Sequence, residues 1–294
     1  MTQPPKQVFI GPGRLAQALA PAMAEAGWPL VAVGAREGSR AAALVGQVPG
    51  VAVRSPAQAV AEAPDGAWVW LCVPDGQLSE VAETLPWRPG LVALHGAGAT
   101  GLEVLAPAQA AGAEVAGFHP LQLLAGGRAV LAGCGAGIEA SSTPLLAQLD
   151  ALARDLGMVP LRLKPETRRL YHAGANLAAS GVLAVLAEAL QAWQLAGLEV
   201  DDALPLLLPL TQGALAAATS RGLAGAVAGP VPRGDVGVLA AQLQALAASP
   251  QGAGLYAELA RRQLALAEQA GRLNDAQAQA IKAALSPYIG LKRD

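Results

Sequence analysis

The sequence is poor in charge, in cysteine and in aromatic residues. Of 294 residues only 14% are charged, and 20 basic side chains face 22 acidic ones for a formal net charge of −2. Nucleic-acid binding needs a basic excess gathered on one face, so this balance argues against such a partner. Two cysteines, Cys72 and Cys134, offer no disulfide framework, and a reducing, cytoplasmic setting is expected. An uninterrupted apolar run of about 18 residues is missing; the nearest candidate, "ALPLLLPL" from Ala203, is broken by Pro205 and Pro209, so no membrane span is expected. The opening "MTQPPKQ" carries neither the basic flank nor the apolar stretch of a secretion signal. The three histidines lack tight ligand spacing such as H-x-x-x-H, which argues against a metal site. Neither a G-x-S-x-G elbow nor a Ser-His-Asp order occurs, which argues against a hydrolase.

What is abundant is alanine and leucine, both strong helix formers. Helices apolar on more than one face are expected to be buried, and a homodimer is the expected assembly. The first half of the chain alternates in character. "KQVFIG", "PLVAVGA", "GVAVRS", "GAWVWLCVP", "GLVALHG" and "AEVAGFHP" are short apolar runs, each closed by Gly, Pro or Ser. Helical patterns lie between them at 15–26, 39–45, 56–63, 76–85 and 102–111. Further strands are expected around 129–140 and 158–163, with a helix at 143–156. This alternation predicts an α/β Rossmann-like domain, doubly wound around a mostly parallel sheet. Beyond Lys164 the pattern is helical: 166–196, 200–215 and on towards 221, 236–247, 254–270 and 275–285. The expected domains are therefore 1–164, binding a dinucleotide, and 165–294, an all-α domain for substrate and dimerisation.

"VFIGPGRLAQALA" follows the first expected strand and opens the first helix. Gly11, Gly13 and Ala16 form the G-x-G-x-x-A variant of the dinucleotide fingerprint. The turn through Pro12, Arg14 and Leu15 would cradle a pyrophosphate against the helix N-terminus, where free N–H groups favour an anion. The second strand ends "VAVGAREGSR", with no carboxylate at Val33, Gly34 or Ala35. Arg36, Ser39 and Arg40 suit a ribose 2′-phosphate, which predicts NADP; Glu37 could instead meet the ribose, and both arginines could be solvated helix-start residues. Val73, Pro74 and Asp75 in "VPDG" either line the cofactor or cap the next helix.

His95 in "VALHGAGA" and His119 in "VAGFHPL" end the fifth and sixth expected strands. Ligands sit at that edge of a parallel sheet, so both are expected to face the cofactor cleft, unless each is simply a polar strand terminus. In "ETRRLYHAGANLAAS", Arg168, His172 and Asn176 stand at successive i, i+4 positions, with Ser180 near the same face. Such a stripe should line a cleft, an interface or water, and reduction of a carbonyl or imine needs a proton donor beside the hydride acceptor. In "GPVPRGDV", Pro230 and Pro232 stiffen a loop that carries Arg233 and Asp235.

"FIGPGRLAQAL", "VPDGQL", "HGAGA", "GFHPLQ", "YHAGANLAAS" and "GPVPRGDV", in this order, resemble a bacterial family of Rossmann-like proteins with a helical C-terminal domain of unassigned function. That family is similar to NADP-dependent ketopantoate reductases, pyrroline-5-carboxylate reductases and the 6-phosphogluconate dehydrogenase-like superfamily. The resemblance spans nearly the whole chain. The family usually has lysine where Arg168 stands and asparagine where Ser180 stands. Arginine does not donate a proton near neutral pH but can hold a carboxylate or phosphate, so the donor role passes to His172 and an anion-binding one to Arg168. The resemblance implies that the "GPVPRGD" loop turns towards the cleft. Arg233 would then meet an acidic group of the substrate, and Asp235 would orient Arg233 or cap the following helix, an Arg–Asp brace between helices being the alternative. The expected site has the nicotinamide near His95, the helical domain closing the cleft with Arg168, His172 and Arg233, and the substrate among His119, Asn176, Ser180, Arg233 and Asp235. The expected activity is NADP-dependent reduction of a small carboxylate-bearing carbonyl or imine compound; the alternative is an NADP(H)-binding sensor or scaffold without turnover.

Overall fold

The computed structural model describes residues 3–36, 40–124, 130–198 and 200–289. By compactness the chain divides into two units, 1–179 and 180–294. The first unit opens with β1 (Gln7–Ile10), α1 (Arg14–Glu25), β2 (Leu30–Gly34), α2 (Ala41–Val45), β3 (Ala52–Arg54), α3 (Pro56–Ala61) and β4 (Trp68–Leu71). It continues through α4 (Leu78–Thr84), β5 (Val92–His95), α5 (Ala106–Ala110), β6 (Glu114–Pro120), β7 (Gly135–Ala140), α6 (Thr143–Asp155), β8 (Val159–Arg162) and α7 (Arg168–Ala178). The eight strands form one sheet in the order β3-β2-β1-β4-β5-β6-β7-β8. Every neighbouring pair is parallel except β6 with β7. The order reverses at β1, and the β1 and β4 ends flank the crevice that such a reversal opens.

Strand periodicity explains why the apolar runs are continuous. In β1, Phe9 enters one core cluster while Val8 and Ile10 enter the cluster on the opposite face; in β4, Trp68 and Trp70 go one way and Val69 and Leu71 the other. A sheet covered on both faces buries both sets. Trp70 stacks on Phe9 with ring centroids 5.6 Å apart and meets Phe118 edge-on at 5.7 Å. Its indole N–H donates to Gln7 Oε1 at 2.6 Å, which satisfies the two buried polar groups of this layer. Caps fix the helix starts: Ser55 and Gln58 close a capping box on α3, and Ser142 accepts from Leu145 N on α6.

The second unit holds α8 (Ser180–Leu195), α9 (Val200–Ala226), α10 (Val236–Ala245), α11 (Pro250–Gln269) and α12 (Asp275–Leu285). Val231, Leu239, Leu243, Leu264, Ile281 and Leu285 are among the members of its own core. The single helix expected over 166–196 is two helices, because Ala179 leaves helical geometry at φ −102° and ψ −82°. The compact division falls at this break rather than at residue 164, since α7 is bonded to the sheet through Arg168. Two segments, Pro165–Leu195 and Ala203–Ala226, are long and apolar enough to cross a membrane by length and composition. The first is interrupted at Ala179, and α8 alone, with 16 residues, rises only about 24 Å against a hydrocarbon thickness of about 30 Å. The second carries Pro205, Pro209 and a non-helical Gly222.

Candidate functional site

The fingerprint turn forms as its residues require. Gly11 adopts φ +92°, and a Cβ there would stand 3.0 Å from the Cys72 carbonyl oxygen. At Gly13 the same contact would be 2.8 Å, so the turn lies against β4 in a way that no larger residue permits. Gly13 is the N-cap of α1 and no side chain caps the helix, which leaves its first-turn N–H groups directed outward. The Cys72 thiol beneath the turn is buried and its pKa is pushed far up, so it is inert rather than nucleophilic.

Two cavities flank this turn at the C-terminal edge of the sheet. The smaller, about 350 Å³, is lined by Gly11, Pro12, Arg36, Gln77, Glu80 and Thr84 among others. The larger, about 540 Å³, takes Gly13, Arg14, Leu15, Arg40, Pro74, Asp75, Ala97 and His119. Val73 lines both, so the two meet over the end of β4. The residues expected to bind the cofactor are thus brought together, apart from His95, while Ser39 lies outside the described residues. A glycine turn, an uncapped helix start and an arginine at the end of β2 fit a dinucleotide pyrophosphate with its ribose phosphate.

His95 departs from expectation. It is fully buried at the end of β5 and lines neither of these cavities. Its Nε2 lies 3.1 Å from the Gly101 carbonyl oxygen, and its Nδ1 accepts from Ala97 N at 3.2 Å. Burial, with the Arg168 charge adding to it, lowers its pKa to about 4 and keeps the ring neutral. The ring braces the 96–101 loop from below; it does not touch the cleft.

Arg168 departs too. It is 1% exposed, its Nη1 donates to Glu139 Oε2 at 2.6 Å and its Nη2 donates to the Ala97 carbonyl oxygen at 2.8 Å. The guanidinium expected to hold a substrate anion is spent on an internal carboxylate, which bridges β7, α7 and the loop after β5. The i, i+4 stripe is real but graded: Arg168 is buried, His172 half-buried and Asn176 exposed, while Ser180 begins the second unit.

His119 stands at the mouth of β6, half-buried on the larger cavity. Its Nδ1 lies 3.0 Å from the Tyr171 hydroxyl, and its ring meets those of Tyr171 and His172 edge-on at 5.8 and 5.5 Å. Burial, reinforced by the neighbouring His172 and Arg168, lowers the pKa of His119 to about 4, and burial raises that of Tyr171. Tyr171 and Glu139 are contributors that the sequence reading missed. A single acid inside the apolar strand "GAGIEA" was the available signal, because a buried carboxylate demands a cation. In the second unit Asp235 Oδ1 accepts from Val238 N at 3.1 Å and so caps α10, one of the two roles expected of it; Arg233 is exposed.

No curated protein matches the sequence. Solved structures share the fold. Protein TM1727 from Thermotoga maritima is 21% identical with a TM-score of 0.70, over 90% of this chain and 98% of that one. A reductive aminase from Aspergillus terreus, in complex with NADPH and ethyl levulinate, is 19% identical with a TM-score of 0.62 over 95% and 99%. A 1-pyrroline-5-carboxylate reductase from Streptococcus pyogenes is 16% identical with a TM-score of 0.59 over 90% and 100%. At these identities the likeness establishes the architecture. Two family models match in succession: a Rossmann-like domain over residues 3–120 and the domain of unknown function DUF2520 over residues 134–263.

Proposed function

We propose that the protein is an NADP-dependent oxidoreductase that reduces a small carbonyl or imine compound. The observation that carries this reading is the pair of cavities meeting at Val73, with the glycine turn between them and His119 at the far end. A dinucleotide laid along them would put its adenosine half beside Arg36 and its reactive ring towards His119, supplying hydride when bound. Arg36 would meet the ribose 2′-phosphate, with Arg14 and Arg40 near the pyrophosphate. The NADPH complex of the reductive aminase and the pyrroline-5-carboxylate reductase of the same fold support this class of chemistry. Pairing of Arg168 with Glu139 withdraws the anchor expected there for a substrate carboxylate.

The test is direct titration of the whole chain with NADPH and NADH, followed by a panel of keto acids, ketones and cyclic imines. NADPH should bind at least about tenfold tighter, a difference of about 1.4 kcal/mol, and Arg36→Glu should reverse the order. Equal affinities in both proteins would refute the NADP assignment. Tight NADPH binding with no turnover on any compound would instead favour a sensor.

We further propose that the chain acts as a homodimer through the second unit. Among the described residues α8 buries none and α9 buries only Ala203 and Leu207, while Leu183, Leu206, Leu210 and Leu215 stand exposed. Exposed apolar surface of this extent is covered in a stable protein, and a second copy presents the same residues.

A further inference from the structure

Ala97 lines the larger cavity, yet both of its backbone polar groups are committed to the interior. Its N–H donates to His95 Nδ1 at 3.2 Å, and its carbonyl oxygen accepts from Arg168 Nη2 at 2.8 Å. A backbone N–H can only donate, so Nδ1 is the bare nitrogen of a neutral ring and the His95 proton sits on Nε2. That proton is donated to the Gly101 carbonyl oxygen at 3.1 Å, and one imidazole thus clasps both ends of the loop after β5. The glycines beside Ala97 leave the loop no slack. A Cβ on Gly96 would stand 2.2 Å from Leu15 Cδ2, and one on Gly98 would stand 2.2 Å from His172 Nδ1 and 2.9 Å from His119 Nε2. What Ala97 turns towards the cavity is carbon, because its nitrogen and oxygen are taken. Arg168 suits this task through its fork: Nη1 holds the buried Glu139 at 2.6 Å while Nη2 holds Ala97, which ties the loop to β7. Lysine would keep the charge but would bring one nitrogen to both partners.

We propose that Ala97 is the backing wall of the nicotinamide ring, and that His95 and Arg168 are positioning residues that fix the depth of this wall without touching the cofactor. The inference rests on the oxidoreductase reading and deepens it. A reacting group has to be held within about 0.5 Å of its productive geometry, and a displacement of about 1 Å can cost about a hundredfold in rate. A wall of carbon with no open donor or acceptor lets the ring lie flat and leaves its other face to the substrate. Because the wall hangs on hydrogen bonds from below, a small change at His95 or Arg168 passes to the reactive carbon through Ala97. Binding of the remainder of the dinucleotide, over the glycine turn, is unaffected by that change.

The test uses the whole chain with NADPH and reads the emission lifetime of the bound reduced nicotinamide, which reports how firmly its ring is packed. Arg168→Lys retains a cation beside Glu139, so it should stay folded and bind NADPH within about twofold of the wild type. The lifetime should nonetheless change, and kcat on any ketone, keto acid or imine that the wild type reduces should fall at least about tenfold. His95→Leu should do the same, whereas His95→Gln, which restores an acceptor and a donor, should recover most of both readouts. If Arg168→Lys does not fold, the two His95 variants decide the matter. The clasp is also checked without cofactor, since the chain has only three histidines and their imidazole ¹⁵N–¹H spectra are resolvable. At pH 7 the ring signal that His95→Gln removes should show its proton on Nε2, and a proton on Nδ1 overturns the proposal. Failure of the wild type to bind NADPH defeats the oxidoreductase reading and this inference with it. NADPH binding with lifetime and kcat unmoved in Arg168→Lys and His95→Leu defeats this inference alone.

Discussion

Arg168 and Glu139 form an ion pair shut away from solvent, 1% and 9% exposed at their side chains and 2.6 Å apart, and this pair joins α7 to the eight-stranded sheet. Two charges withdrawn from water depend on each other, since removing one leaves the other uncompensated. Glu139→Leu and Arg168→Met should each destabilise the chain by about 3–5 kcal/mol, whereas the two combined should recover most of that loss. Urea midpoints of the four proteins give the comparison. Additive losses in the double variant would show that the pair is not coupled.

His95 and His119 make the fold acid-sensitive. Each has a folded pKa near 4 against about 6.5 in an unfolded chain. Between those values the unfolded chain binds more protons, so stability rises with pH. The contribution is complete above about pH 6.5 and is lost as pH falls towards 4, on the order of 3 kcal/mol for each ring. His95→Gln, whose amide can reproduce both ring hydrogen bonds, should flatten the slope of unfolding free energy between pH 7 and 4.5. An identical slope in variant and wild type would mean that His95 titrates normally.

Sheet, helices and glycine turn were legible in the sequence because each rests on local chemistry. Alternating apolar runs closed by glycine or proline have few readings, and all eight strands were anticipated; 275–285 became α12 with the same bounds. The site was less legible, because side-chain partners depend on pairs distant along the chain. A strand-end position does not say whether His95 looks into the crevice or under the neighbouring loop. Helical spacing placed Arg168, His172 and Asn176 on one face but could not show that Glu139, 29 residues earlier, neutralises the first of them. Ala179 has no sequence signature of a break, since alanine favours helix.

The turn at Gly13 ought to be intolerant of the smallest enlargement. A Cβ would stand 2.8 Å from the backbone oxygen of Cys72, and backbone in the central strand edge has no room to retreat. Gly13→Ala should weaken NADPH binding by at least about tenfold, read by fluorescence titration. Gly213→Ala is the control: it sits in α9 with nothing within 4 Å of the added carbon and should gain up to about 1 kcal/mol of helix stability. Unchanged binding in Gly13→Ala would mean that the pyrophosphate does not lie over this turn.

The apolar helices of the second unit predict an assembly. In α9 only Ala203 and Leu207, one turn apart, point inward among the described residues, while Leu206 and Leu210 are 65% and 70% exposed. A stable protein–protein interface takes about 800 Å² from each partner, more than scattered surface leucines provide but within reach of two helices whose faces are apolar along their length. The wild-type chain should therefore run at about twice its 29.5 kDa in sedimentation or light scattering. Leu206→Glu with Leu210→Glu places two charges on each copy in the presumed contact and should shift the protein to monomer without loss of its far-ultraviolet helix signal. A wild type that sediments as a monomer at micromolar concentration contradicts the dimer, and a double variant that stays dimeric moves the interface off this face of α9.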